Sequence, residues 1–252
     1  MSSPPSATPP PAADGPATPP GATGGVATAG APAAHSLGAT KAYGSGDTEV
    51  LALNDVTVAF PSGRFTAIMG PSGSGKSTLM HCMAGLDTLT AGQVFIGDTD
   101  LSTLSDKQRT LLRREHVGFV FQAFNLIPTL TASENITLPL HLGGLNPDQD
   151  WRETVVNTVG LSDRLSHRPS ELSGGQQQRV AVARAMATRP QIIFADEPTG
   201  NLDSTSGAEV LGFMRSAVDD YGQTVVMVTH DPVAAAYAHQ VIFLVDGRVV
   251  GD

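Results

Sequence analysis

The chain has 252 residues, a formal net charge of −9 and 40% apolar side chains, enough for one large α/β domain or two small ones. The acidic balance argues against a nucleic-acid-binding surface, which needs a basic footprint. The single cysteine, Cys82, excludes an intrachain disulfide framework, and the sequence offers no apolar run of about 18 residues that could span a membrane.

Residues 1–46 consist mostly of Pro, Ala, Gly, Ser and Thr and hold half of the 18 prolines. Such a composition predicts a disordered tail, and it lacks the basic start and apolar stretch of a secretory signal. From Glu49 the pattern changes. Val50, Leu51, Leu53, Val56 and Val58 form strand-like runs that end at Pro61-Ser62-Gly63. Phe65–Met69 is an apolar strand before a glycine-rich turn. Lys76–Ala84 reads as a helix stopped by Gly85, and Gln93–Ile96 as a strand before the Gly97-Asp98 turn. Val117–Phe121 leads into Gln122. The stretch from Thr131 to Thr188 lacks such strands, and Trp151, Val155, Val156 and Val159 fall at helical spacing. It predicts a helical subdomain, about 127–188, inserted into a sheet domain. Ile192–Ala195 then leads into Asp196-Glu197, and Val225–Val228 into Thr229-His230.

Successive apolar residues suit strands covered on both faces, as in a parallel sheet. Ligands of open α/β sheets lie beyond the carboxyl ends of the strands. Here four apolar strands each deliver a polar group at that end.

Gly70-Pro71-Ser72-Gly73-Ser74-Gly75-Lys76-Ser77-Thr78 fits G-x-x-x-x-G-K-[ST] in full. Its glycines let backbone N–H groups face an anion, and the following helix aims the positive end of its dipole at the same point. Lys76 brings a charge for terminal phosphates and Ser77 a hydroxyl for Mg²⁺. At ordinary residue frequencies a chance match is about one in 10⁴–10⁵ per start position. Alone, the loop fits kinases, GTPases and many ATPases.

Leu172-Ser173-Gly174-Gly175-Gln176-Gln177-Gln178-Arg179 narrows the choice. Ser173 is a natural N-cap, and Gly174-Gly175 bare the first amides of a helix, making a second anion-facing terminus. It carries neither lysine nor carboxylate, as half of a shared site would.

At this point the sequence resembles the ABC ATPase family, over about Tyr43 to Asp252. The resemblance implies an α/β P-loop NTPase fold with a mostly parallel core sheet, an N-terminal antiparallel β region and the inserted helical subdomain. It implies that two subunits sandwich two ATPs, each between the phosphate loop of one (Gly70 to Thr78) and Ser173, Gly174, Gly175 and Gln176 of the other. Asp196, with Ser77 and Gln122, corresponds to the Mg²⁺ site. Glu197 corresponds to the catalytic base, His230 to the switch histidine at the γ-phosphate and Gln122 to the glutamine that senses metal and water. Asp203, closing the run Asp196-Glu197-Pro198-Thr199-Gly200-Asn201-Leu202-Asp203, corresponds to the end of the loop that crosses the interface. Tyr43 would stack on adenine.

Phe65–Asp87 and Ala195–Asp203 are similar to the ATPases of lipoprotein release and of macrolide and antimicrobial-peptide export. The implied partners are a second ATPase subunit, expected to be a copy of this chain, and an integral-membrane permease with an extracytoplasmic domain. The implied location is the cytoplasmic face of the cell membrane, and the single cysteine suits that reducing side. The stretch with Phe124, Leu126, Ile127 and Leu130 is either internal packing or a receiving surface for that permease. Two alternatives stand beside this reading. One is a cell-division ATPase that transmits force without moving a solute. The other is a soluble ABC ATPase of ribosomes or DNA, which predicts a second cassette or a long coiled-coil insert, and the sequence has neither.

Overall fold

The computed structural model describes Met1 and residues 31–250. β1 (Pro32–Tyr43) and β2 (Val50–Pro61) open an antiparallel sheet. β3 (Phe65–Met69) enters a second sheet, followed by α1 (Lys76–Met83). β4 (Ala91–Ile96) and β5 (Thr99–Asp100) complete the first sheet in the order β2-β1-β4-β5. α2 (Asp106–His116) leads to β6 (Val117–Phe121). Three helices, α3 (Ala132–Gly143), α4 (Gln149–Thr158) and α5 (Gly174–Met186), fill the interval before β7 (Ile192–Asp196). Then come α6 (Ser204–Asp219), β8 (Val225–Val228), the short α7 (Pro232–Ala235), β9 (Gln240–Val245) and β10 (Arg248–Val249). The second sheet runs β10-β9-β3-β8-β7-β6 and is parallel except for β10. A helical insert thus separates β6 from β7.

The apolar runs are continuous because both faces of this sheet are covered. Alternate side chains point to opposite faces. Ile192, Phe194, Val226 and Val228 join a core with Leu79, Met80 and Met83 of α1 and Leu53 and Phe60 of β2. Ile193, Ala195, Val225 and Met227 join the other core, with Val180 and Ala183 of α5 and Val210 and Met214 of α6.

The structure corrects the expected tail. Residues 2–30 lie outside the described residues, but Pro32–Tyr43 is a strand held on one side by β2 and on the other by β4. Its Ala33, Ala34 and Ala39 are fully buried, with Ser36 and Lys41 beside them. Small side chains suffice there because Phe60, Leu53 and Ile96 on the neighbouring strands supply the volume. A composition reading counts large apolar residues and so overlooks this strand. Likewise, the runs from Val50 to Val58 are one continuous strand that reaches Pro61.

The register gathers the site. Ile68 pairs with Val228, Val228 with Asp196, and Asp196 with Phe121. These four residues form one row across the sheet, so Gly70, His230, Glu197 and Gln122 leave its carboxyl edge together.

Candidate active site

The phosphate loop is wedged between two backbones. Gly70 has φ 152°, and a Cβ there would lie 2.0 Å from the Leu244 carbonyl oxygen. Gly75, at φ 98°, would place one 2.3 Å from that of Ala52. Neither backbone can withdraw without dislodging β9 or β2. Gly70→Ala is therefore expected to abolish measurable ATP binding and to lower the melting temperature, both checked on the purified chain. A variant that binds ATP normally would show that the loop tolerates another path.

Within the loop, the buried Lys76 Nζ donates to the carbonyls of Gly70 (2.9 Å) and Pro71 (2.8 Å). Ser74 Oγ is buried without a hydrogen-bond partner. A cation held only by neutral carbonyls, an unmatched hydroxyl and the first amides of α1 together form a cradle that fits an oligophosphate.

Beside the loop, Ser77 Oγ donates to Asp196 Oδ1 at 3.3 Å. Burial pushes the Asp196 carboxyl above its usual range, while the charge of His81 and the Ser77 hydroxyl pull the other way. Among the described residues no group of three or more His, Cys, Asp or Glu could hold a metal. The Ser77–Asp196 pair nevertheless suits Mg²⁺, which takes few protein ligands and completes its octahedron with phosphate oxygens and water.

Glu197 follows β7 directly, at φ 46°, a left-handed conformation that costs a non-glycine residue about 1–3 kcal/mol and is characteristic of functional sites. Its amide donates to the Val228 carbonyl (3.0 Å). Its Oε1 lies 2.8 Å from His230 Nδ1, and this hydrogen bond raises the imidazole's pKa above its ordinary value. The His230 side chain is 73% exposed, so its other face is open to a ligand. Gln122 reaches the same edge, where its Nε2 donates to Asn201 Oδ1 (3.1 Å) and Asn201 Nδ2 returns a bond to the Gln122 carbonyl (3.0 Å).

The second glycine motif opens α5. Ser173 Oγ accepts from the Gln176 amide (3.3 Å) and Gln176 Oε1 from the Ser173 amide (2.9 Å), a reciprocal cap that contributes about 1 kcal/mol. The atoms nearest a Cβ at Gly174 belong to Leu202 and Phe124, and at Gly175 to Ser206. This terminus therefore packs against the start of α6, which Asp203 caps by accepting from the amides of Thr205 and Ser206.

Tyr43 ends β1, half exposed, with its hydroxyl on Asp87. Three further contacts escape motif reading. His81 Nε2 stands 4.0 Å from Asp196 Oδ2; its position four residues after Ser77 puts it on the same helix face, a signal the sequence does hold. The buried Gln178 donates to the carbonyls of Phe121 (3.2 Å) and Pro198 (2.5 Å), tying α5 to the ends of β6 and β7. Arg184 donates to those of Phe124 (2.9 Å) and Asn125 (2.5 Å), both at positive φ. No spacing rule announces these last two.

A mostly parallel sheet with a phosphate loop after one strand and adjacent carboxylates after another defines a P-loop nucleoside triphosphatase. The chain belongs to the ABC transporter family, whose profile matches residues 53–200, and it is an ATP-binding, ATP-hydrolysing cassette of that family. It is 47% identical over 214 residues to the ABC transporter ATP-binding protein MJ1508 of Methanocaldococcus jannaschii, covering 83% of this chain and 94% of that one. It is 45% identical over 215 residues to the macrolide export ATP-binding/permease protein MacB of Burkholderia pseudomallei, covering 84% of this chain and 33% of MacB. This chain thus spans about a third of the MacB length. A dimeric post-hydrolysis structure of the ATP-binding cassette MJ0796 bound to ADP and Pi has 42% identity and a TM-score of 0.77, covering 86% of this chain and 97% of the other.

Proposed function

We propose that two copies of this chain close on two ATP molecules and that closure works a membrane permease that exports or extracts a lipophilic, peptide or lipoprotein substrate. The observation that carries this reading is the division of anion-binding groups. Lys76, Ser77, Asp196, Glu197 and His230 gather at one sheet edge. The start of α5, whose first amides have no intrahelical partner, carries no lysine, carboxylate or histidine of its own. A second copy, contributing Ser173, Gly174, Gly175 and Gln176, completes the pocket, with Asp203 beside it. MJ0796, solved as a dimer, supports this arrangement.

In this reading the phosphate-loop amides from Gly70 to Thr78 and Lys76 hold the phosphates, and Tyr43 carries the base. Mg²⁺, when bound, neutralises charge on the terminal phosphates, and Ser77, Asp196 and Gln122 would hold it. Glu197 takes the proton of the attacking water, and His230 keeps that carboxylate oriented through their 2.8 Å bond. Gln122 gives its Nε2 to Asn201, which leaves the amide oxygen as its metal-binding atom.

Among the described residues no helix is long and apolar enough to cross a membrane, which fits a peripheral subunit at the cytoplasmic face. The MacB proteins join a cassette like this one to a permease in name, which supports a permease partner here. After Gln122, Leu126 packs against the core whereas Ile127 is exposed. Next to them a cavity of about 280 Å³, lined by Phe119, Phe121, Asn125, Pro139 and Arg184, offers a receiving surface. Detergent extraction of membranes holding the tagged chain tests the proposal: a permease with an extracytoplasmic domain is expected to co-purify. Recovery with ribosomes or DNA, and with no membrane protein, would contradict it.

A further inference from the structure

We propose that Asp87, held by Lys41, is a positioning residue that fixes the Tyr43 ring as a base platform at a set distance from the phosphate loop. This rests on the reading that Tyr43 carries the base.

Lys41 and Tyr43 are two residues apart on β1 and so share a strand face. Lys41 Nζ lies 4.8 Å from the Tyr43 ring centroid. That cation covers one face of the ring, and the half-exposed tyrosine is left to receive a base on the other. The Tyr43 hydroxyl donates to Asp87 Oδ2 at 2.7 Å. Lys41 Nζ donates to Asp87 Oδ1 and to the Thr88 carbonyl, each at 2.7 Å. Asp87 is anchored in turn to the helix that starts at the phosphate loop, because its amide and that of Leu86 donate to the His81 carbonyl (3.2 and 2.8 Å). One end of α1 thus meets the phosphates and the other end steers the ring.

The charges favour this arrangement. Burial, then the bond to Asp87, pushes the Tyr43 hydroxyl up to about 12, so it remains a donor at neutral pH. Burial works against the ionised Asp87, but the hydrogen bonds from Lys41, Tyr43 and Thr88 outweigh it and hold the carboxyl below its ordinary range. A ring held by a fixed hydroxyl spends less entropy in meeting the base than one free to turn.

Steady-state ATP hydrolysis by Asp87→Ala, Asp87→Asn, Tyr43→Phe and the double variant Tyr43→Phe/Asp87→Ala tests the assignment, with inorganic tripolyphosphate as a competitor that lacks a base. Asp87→Ala and Tyr43→Phe are each expected to raise KM for ATP by about tenfold, part of what stacking on one base is worth, and Asp87→Asn, which keeps one acceptor oxygen but loses the charge that holds Lys41, by less. kcat should stay within about twofold and the tripolyphosphate inhibition constant should be unchanged. Because Asp87 acts through the hydroxyl, Asp87→Ala should add little to Tyr43→Phe. Multiplying effects in the double variant, or equal losses for ATP and tripolyphosphate, would overturn the assignment. Asp87→Asn keeps the shape and covers the case in which Asp87→Ala unfolds. Tyr43→Ala separates the two layers: an unchanged KM rejects the platform itself, whereas a raised KM there with normal Asp87 variants rejects the positioning alone.

Discussion

Glu197→Gln is expected to lower ATP turnover by about 10²–10⁴-fold, the usual worth of a placed general base, while ATP binding stays near normal. The substitution keeps size and shape and removes the carboxylate proposed to accept the proton. Binding is spared because the loop amides, Lys76 and the Ser77–Asp196 pair do not depend on Glu197. Its left-handed backbone is set by the Val228 carbonyl and the turn to Gly200 rather than by the carboxylate, so the amide side chain occupies the same place. Phosphate release and equilibrium nucleotide binding measured on the same preparation separate the two effects. Turnover within a few-fold of the parent would move the base elsewhere.

Gly174→Asp is expected to have opposite effects on stability and activity. A Cβ at Gly174 meets Leu202 Cδ2 at 3.5 Å and Phe124 Cζ at 3.8 Å, ordinary contacts. Replacing a helical glycine and placing a carboxylate at the positive end of α5 each favour the fold, by up to about 1 kcal/mol. In the proposed dimer the same carboxylate would face the phosphates of the ATP that the partner copy holds, so hydrolysis should fall by about 10²-fold or more, as when an oxyanion donor is lost. The melting temperature should hold or rise. Mixing sharpens the test. Gly174→Asp and Lys76→Ala chains, each inactive alone, assemble into pairs in which one site joins an intact loop to an intact α5 terminus. Activity should return on mixing, and if both motifs served one ATP within a single chain it would not.

The sequence was legible where chemistry imposes a pattern. The strands β3, β6, β7 and β8 announce themselves because burial on both faces demands unbroken apolar runs. Their shared edge follows from parallel pairing. Legibility fails where small residues or long-range contacts decide. β1 is built on Ala33, Ala34 and Ala39, which resemble the proline- and alanine-rich stretch before them until β2 and β4 are seen on either side. Gln122 lies at the expected strand end, yet its amide is engaged by Asn201, a partner 79 residues away. The Lys41–Asp87–Tyr43 cluster links β1 to the residues after α1, and no spacing rule connects positions so distant. His81 is the instructive omission: four residues after Ser77 on one helix, it stands beside Asp196.

Sedimentation of the Glu197→Gln chain with ATP and Mg²⁺ probes the shared pocket most directly. A species of twice the chain's mass carrying two ATP molecules should form and should separate when ADP replaces ATP. A single chain that binds ATP tightly and stays unpaired at every concentration would mean that each copy completes its own pocket.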